Sequence, residues 1–472
     1  MALVLLIRPF FISLESVPTY PLGLAYLGSV LRKAGHSVKI LDLSVLNIKN
    51  KEASNLVKRI NPDLIGITAL SYYFPEMVKL CNHLKTLDIP IVLGGIHVSV
   101  LPITSFKAIR ADFLIIGEGE RTIVELVNSL EIGGDLSKIK GLAYKKNNKL
   151  IINDRRPVIK NIDNIPFPAW DLLDLSLYNP PNIREFNMFF NPLPALPIFT
   201  SRGCPYKCKY CASTNFWGSS IRFRSVENII EEIEYNKEKF KVTTFEIWDD
   251  NFTFSRKRLI KFCKKISEKG IKADFYLPNG IRADTINRKL IKLMKNVGFK
   301  GIILAPESGS QKILENVNKN QDLKIVREMA NIIQDEGILT SAYFILGLPG
   351  ETAKTALKTI RYGASLSLNG ISYFIFTPLP GSELFKEWSK NVDLEEIDWK
   401  VDYFIHHKKK KKTMCELSFK DLKHFQKLGY LFFLLKVKNI LNLFKRLNLK
   451  NLRLFILTEI RNIINLFFKR IK

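Results

Sequence analysis

Thr200-Ser201-Arg202-Gly203-Cys204-Pro205-Tyr206-Lys207-Cys208-Lys209-Tyr210-Cys211 holds three of the chain's six cysteines, spaced C-x3-C-x2-C. It directly follows an apolar run, 198–200, that reads as a strand. Three thiolates on one tight loop suit three irons of a cubane cluster, leaving the fourth iron open to a cofactor or substrate. Structural zinc is the alternative, and it asks for four ligands. No histidine lies between His97 and His406, and the nearest downstream cysteine, Cys263, falls in an apolar helical pattern. The cluster is therefore the reading the residues favour.

Downstream of the loop, apolar runs at 244–248, 273–277, 301–304, 341–346 and 372–376 alternate with helical patterns such as 226–235 and 290–297. With 198–200 they make six strand–helix units. Six suit an open, partial barrel with its chemistry at the carboxyl ends of the strands. Upstream, runs at 4–7, 38–41, 64–68, 89–93 and 113–116 are spaced by helical segments such as 22–33. That spacing predicts a doubly wound parallel sheet of the Rossmann type. Between the two regions lie eight of the chain's 21 prolines, from Pro157 to Pro197, so an extended connection is expected. The predicted class is α/β. The expected domains are a Rossmann-like domain at 1–144, a Pro-rich linker at 145–196, the partial barrel at 197–389 and a basic helical extension at 390–472.

The 472 residues are 46% hydrophobic and 25% charged, an ordinary globular composition that excludes a disordered or collagen-like chain. Six cysteines exclude a disulfide scaffold. No apolar run reaches the ~18 residues of a membrane-spanning helix. The first residues lack a basic segment and a cleavage site, so a cytoplasmic protein is expected. Net charge is +27 and unevenly placed: residues 408–472 carry 18 Lys or Arg against 3 Asp or Glu. Within that tail, Phe433, Val437, Ile440, Leu441 and Phe444 fall on one helical face, and Ile456, Ile460, Ile463, Ile464 and Phe467 on another. One reading is a basic amphipathic anchor at the inner face of an anionic membrane. The other is a helical face packed on the barrel. Bulky aliphatics in place of stacking aromatics argue against nucleic acid.

The cysteine loop and the strand ends together resemble the radical S-adenosylmethionine enzymes. Their three cysteines follow the first strand of a (βα)6 barrel, with an aromatic like Tyr210 before the third. Trp248-Asp249-Asp250-Asn251 stands where the family's Gly-Gly-Glu binds the methionine amino group. Asn279-Gly280-Ile281-Arg282-Ala283-Asp284, Pro306-Glu307-Ser308-Gly309-Ser310, Gly347-Leu348-Pro349-Gly350-Glu351 and Thr377-Pro378-Leu379-Pro380-Gly381-Ser382 follow the next four strands. The resemblance implies a four-iron four-sulfur cluster on Cys204, Cys208 and Cys211. It implies contacts to S-adenosylmethionine from Tyr210, Asp249, Asp250, Asn251, Arg282, Glu307, Ser308, Gly347 and Pro349. An external electron donor of the flavodoxin or ferredoxin type is implied as well.

The N-terminal region is similar to cobalamin-binding Rossmann domains. The likeness rests on Thr68-Ala69-Leu70 with Gly94-Gly95, on Pro21 to Leu27, on Gly94-Gly95-Ile96-His97 and on Gly117-Glu118-Gly119-Glu120. These match the cobalamin-dependent radical subgroup that includes the anaerobic magnesium-protoporphyrin cyclase. The implied cobalamin contacts are Gly23, Thr68, Leu70, Gly94, Gly95, His97, Gly117, Glu118 and Gly119. The D-x-H-x-x-G motif that supplies a cobalt ligand elsewhere is absent, so cobalamin is expected with its base off and no imidazole beneath it. For His97 the choice is between the corrin and capping the following turn. Asp42 ends the second strand, where a dinucleotide fold holds a ribose, but no G-x-G-x-x-G precedes it. Cys81, Cys263 and Cys415 read as buried thiols. The expected reaction is methyl transfer to an unactivated carbon of a small molecule, or of a lipid if the tail meets a membrane. Ring formation or oxidation, with or without cobalamin, is the alternative.

Overall fold

The computed structural model describes residues 1–11, 18–68, 70–109, 111–147, 149–178, 195–395, 397, 399 and 413–435. They group into two units. One comprises the described residues of 1–180, 201–228 and 377–409; the other comprises those of 181–200, 229–376 and 410–472.

The first unit is built on seven strands: β1 (Leu3–Arg8), β2 (Ser37–Asp42), β3 (Leu64–Thr68), β4 (Ile91–Gly94), β5 (Phe113–Ile115), β6 (Leu142–Lys146) and β7 (Lys149–Ile152). Their order is β2-β1-β3-β4-β5-β6-β7, parallel through β5. Leu5, Ile7, Ile65, Ile67 and Leu93 fill a core on one face, and Val4, Leu6, Leu64 and Val92 fill a core on the other. Burial on both faces is why these strands read as unbroken apolar runs. The chain order reverses between β1 and β3, and ligands of such sheets bind beyond the strand ends there.

All five expected strands are present, but β6 and β7 were not foreseen. They form an antiparallel hairpin across the expected boundary at 144. Asn147 turns it with φ of 48°, a conformation asparagine tolerates. The lysines around it masked the pattern. A second difference concerns the end of the expected barrel, 197–389, and the start of the expected extension, 390–472. Phe385, Ile397 and Trp399 pack into the same core as Leu5 and Ile7, because such large apolar groups need a covered site.

The second unit carries β8 (Ala195–Ile198), β11 (Thr244–Ile247), β12 (Asp274–Ile281), β13 (Phe299–Glu307), β14 (Leu339–Leu346) and β15 (Gly370–Ile375). Between β8 and β11 in the chain come the short β9 (Ser201–Arg202) and β10 (Arg222–Phe223), which belong to the first unit. The six strands form one open parallel sheet, ordered β15-β14-β13-β12-β11-β8, as the alternation predicts. β8 is an edge strand, which is where a strand accommodates Pro197. Helices return the chain between strands and begin at N-caps: Ser255 accepts from Arg258 N, Asn287 from Leu290 N and Asp322 from Lys324 N. Phe245, Phe252, Phe262, Phe275 and Phe299 make an aromatic core, mostly edge-to-face or tilted, with ring centroids 5.3 to 6.3 Å apart.

The described part of the basic tail packs against the sheet. A helix at Phe419–Leu434 starts at a Ser418–Asp421 capping box and buries Leu422, Gly429 and Phe433. It lies along β15, where Gln426 Nε2 donates to Tyr373 O at 2.5 Å and Tyr373 N donates to the Tyr430 hydroxyl at 3.3 Å. Phe433 therefore belongs to a packed face and not to an exposed stripe. Cys415 sits half-buried in the turn before this helix, with Sγ 3.5 Å from Leu417 O, and not in a helical pattern. Residues 408–412, with neighbouring His406 and His407, and the remaining tail residues from Val437 on lie outside the described residues. A side chain at Gly429 would meet the Tyr373 ring at 2.7 Å. Gly429→Val should cost about 1–3 kcal/mol through overpacking, read as a lower denaturation midpoint than wild type.

Candidate active site

The cysteine loop is closed at its base. β9 and β10 pair antiparallel, with Arg202 opposite Arg222 and Ser201 opposite Phe223. Gly203 follows at φ of +98°, and a Cβ there would lie 2.7 Å from Ser220 O. Only glycine fits between the strand and the first cysteine. Cys204, Cys208 and Cys211 are each partly exposed. Cys211 N donates to Cys208 O at 3.0 Å, which folds the last two thiols into one turn, and Ser213 N lies 3.4 Å from Cys211 Sγ. The segment 377–389 braces this loop from outside. Leu384 N donates to Lys209 O at 3.0 Å, and the Asn215 amide donates to the Gly381 carbonyl. Tyr210 is half-buried within the loop. Among the described residues no three His, Cys, Asp or Glu side chains converge on a single ion. A cubane asks for a different arrangement, one thiolate on each of three irons. The donor set on this loop fits that demand.

In the second unit, the motifs at the strand ends divide into braces and candidate ligands. Asp249 is buried and accepts from Thr200 N at 2.6 Å and from the Thr200 hydroxyl, so it ties the end of β11 to the end of β8. Arg258 donates to Thr200 O at 2.7 Å from the other side. Arg282 is committed to Asp284 at 2.6 and 3.0 Å and to the carbonyls of Lys319 and Asn320. Ser308 is fully buried against Thr359, 3.1 Å away. Gly347 N donates to the Glu351 carboxylate, and burial pushes that carboxyl up to about 7. Asn251 differs: its Oδ1 accepts from Thr253, but its buried Nδ2 has no partner. Glu307 is also distinctive, with φ of +67° at the end of β13 and the buried Lys319 ammonium 3.3 Å from its carboxylate. Backbone strain at a buried carboxylate is a mark of a functional position. Asp250 and Pro349 are half-buried beside these groups in the sequence. Lys319 carried no sequence signal, since nothing in its neighbourhood forms a motif.

In the first unit, Gly94 ends β4 and Gly95 follows it, Gly117 lies beyond β5, and Gly23 lies at the start of the helix Leu22–Lys33 that follows β1. A Cβ on Gly23 or Gly117 would meet nothing within 4 Å, and one on Gly94 only Ile115 Cβ at 3.9 Å. Gly95 has φ of 106°. This open backbone is a cradle that a broad, flat ring can approach, so the residues fit a corrin. Thr68, which ends β3, and Leu70, just after it, are half-buried. Gly119 has less room, with Leu27 3.3 Å from a built Cβ.

Two of the expected contacts are engaged elsewhere. His97 is fully buried, 4.0 Å from the Phe74 ring and 4.9 Å from the Trp399 ring by centroid, with Nδ1 2.9 Å from Ser71 Oγ and Nε2 without a partner. Burial pushes its pKa down to about 3, so it is a neutral core histidine. Glu118 is buried against Arg202 and Arg222. Asp42 has a comparable bracing role, accepting from Arg8 Nε at 2.8 Å and from the Tyr178 hydroxyl at 2.5 Å. Cys81 and Cys263 are buried, and burial pushes both thiols up to about 12.

A doubly wound sheet with glycine loops at its carboxyl end, and an open six-stranded parallel sheet whose first strand leads into a three-cysteine loop, define a two-cofactor class of enzyme. Residues 16–127 match the B12 binding domain family, and residues 198–363 match the Radical SAM superfamily. An uncharacterised methyltransferase of Pyrococcus horikoshii is 32% identical over 383 residues, 80% of this chain and 81% of that protein. The anaerobic magnesium-protoporphyrin IX monomethyl ester cyclase of Rubrivivax gelatinosus is 27% identical, over 80% of this chain and 68% of its own. The radical S-adenosylmethionine methyltransferase TsrM of Kitasatospora setae shares the fold, with a TM-score of 0.68 at 18% identity over 82% of this chain and 75% of that one. The chain belongs to the cobalamin-binding radical S-adenosylmethionine enzymes.

Two outcomes follow from this geometry. Gly203→Ala should leave a folded protein that holds well under half the wild-type iron after anaerobic reconstitution, measured per chain by colorimetric iron assay. His97 has the opposite kind of signature. Its folded pKa lies below the unfolded value of about 6.5, so its share of stability is fully present above that pH and is lost as pH falls toward 3. Urea titrations should show wild type losing up to about 1.4 kcal/mol per pH unit in that window through this residue, a slope that His97→Gln removes.

Proposed function

We propose that this chain is a cobalamin-dependent C-methyltransferase that uses a four-iron four-sulfur cluster on Cys204, Cys208 and Cys211 to act on an unactivated carbon. The observation that carries the reading is the loop itself: three partly exposed thiols on a segment locked at its base by β9, β10 and Gly203. The methyltransferases of Pyrococcus horikoshii and Kitasatospora setae support methyl transfer as the outcome. When bound, the cluster supplies the electron that cleaves S-adenosylmethionine, and cobalamin supplies a carrier for the methyl group.

The protein's part is to bind, orient and exclude water. The unpartnered Asn251 Nδ2 and the Glu307–Lys319 pair offer polar contacts for S-adenosylmethionine. Asp250, Tyr210 and Pro349 complete the set implied by the motifs. Asp249, Arg282 and Ser308 act one step back, fixing the strand ends that carry those contacts. Gly23, Gly94, Gly95 and Gly117 line the approach for cobalamin. The net charge of +15 over 408–472 supports a lipid or lipid-linked substrate at an anionic membrane, with electrons from a flavodoxin- or ferredoxin-type donor. No helix among the described residues is long and apolar enough to cross a membrane.

The reconstituted protein, given cobalamin, a reductant and S-adenosylmethionine deuterated in its methyl group, should label a component of a cell extract. It should release S-adenosylhomocysteine and 5′-deoxyadenosine in equal amounts. Ring formation, the outcome named for the Rubrivivax gelatinosus relative, yields 5′-deoxyadenosine without S-adenosylhomocysteine. That result would refute methyl transfer.

A further inference from the structure

The Gly117-Glu118-Gly119-Glu120 motif reads as part of the cobalamin cradle, yet its two carboxylates point elsewhere. Glu118 Oε1 lies 2.7 Å from Arg222 Nη1 and 3.1 Å from Arg202 Nη1, and its Oε2 accepts from Ile159 N at 2.7 Å. Glu120 Oε1 lies 2.5 Å from Arg202 Nη2. All four side chains are under a tenth exposed. Arg202 is further enclosed by the rings of Trp217 and Tyr26, at 5.1 and 5.6 Å. Arg222 also donates to Ile159 O at 2.9 Å and to Trp217 O at 3.2 Å.

The placement of the arginines makes these carboxylates necessary. Arg202 and Arg222 are cross-strand partners in the two-residue ladder that closes the cysteine loop. Like charges directly opposite one another destabilise such a pair, and a ladder of two residues has little else to hold it. Glu118 touches both guanidinium groups with a single oxygen, and Glu120 completes a buried cluster of two positive and two negative charges. Burial raises the Glu120 carboxyl, and the Arg202 charge and hydrogen bond outweigh it, leaving that carboxyl below its ordinary range. Glu120 is therefore held as a carboxylate against Arg202.

We infer that Glu118 and Glu120 are positioning residues for the cysteine loop: they neutralise the Arg202–Arg222 pair and so hold closed the ladder from which Cys204 departs two residues later. This rests on the reading of Cys204, Cys208 and Cys211 as cluster ligands. It assigns Glu118 to the cluster side of the enzyme in place of a corrin contact.

The test uses the full chain, reconstituted anaerobically with iron and sulfide, as Glu118→Gln, Glu120→Gln and Cys208→Ala proteins. Iron release to a ferrous chelator should be about tenfold faster, or more, in both glutamine variants, since a buried arginine loses its counter-charge. The electron paramagnetic resonance spectrum of the reduced cluster should broaden or shift. Cobalamin affinity, by absorbance titration, should stay within about twofold of wild type, because no cobalamin contact has been removed. A Glu120→Gln/Arg202→Gln double variant guards against misfolding, since removing both charges spares the fold. In the single glutamine variants a thermal midpoint near wild type with an altered cluster spectrum supports the assignment, and the double variant, in which the Arg202–Arg222 repulsion is gone, should return iron release and spectrum toward wild type. Wild-type iron release and spectrum in both glutamine variants would overturn it. So would weakened cobalamin binding with the cluster intact. If Cys208→Ala retains its full cluster, the ligand reading itself has failed, a result separate from these.

Discussion

Two guanidinium groups facing each other across β9 and β10 set the condition on which the cysteine loop depends. The ladder is too short to tolerate that repulsion, and the countercharge comes from far away in the chain, from the loop after β5. That loop can only reach Arg202 because β5 ends where it does, and β5 is positioned by a parallel sheet whose two faces are packed by Leu5, Ile7, Val4 and Leu6. Large-scale architecture is thus converted into local geometry at the thiols through two carboxylates.

Much of this was legible in the sequence. Ten of the eleven expected strands form where expected, because each is a short apolar run bounded by turn residues; the eleventh, expected at 198–200, lies earlier, at Ala195–Ile198. The exceptions have physical causes. The β6–β7 hairpin hides behind lysines and an asparagine turn. The unit boundaries were blurred because Phe385, Ile397 and Trp399 belong to a core whose other buried members lie between Leu5 and Ala143. The three cysteines were plain from spacing. The partners of individual polar groups were not, since a motif marks where a side chain sits but not which neighbour claims it. His97 shows this well: two residues after Gly95 in the chain, it proves to be sealed between Phe74 and Trp399.

The strand-end motifs of the second unit divide labour in a way that types alone do not reveal. Asp249 and Asp250 are adjacent and chemically identical, yet one is spent on Thr200, fixing the residue that precedes the cysteine loop in the chain. Arg282 likewise holds a turn together. Buried polar groups must be satisfied, and most are satisfied internally. The exceptional ones, Asn251 Nδ2 and the strained Glu307, are therefore the informative ones.

The helix at Phe419–Leu434 has a consequence for solubility. β15 ends the open sheet, and an uncovered outer strand offers a row of donors and acceptors to any other chain. Here Gln426 and Tyr430 occupy the Tyr373 carbonyl and amide, imitating a seventh strand with side chains. A chain shortened before residue 413 would keep Cys204, Cys208 and Cys211 and every glycine loop. It would fail instead by self-association, one exposed margin annealing to the next.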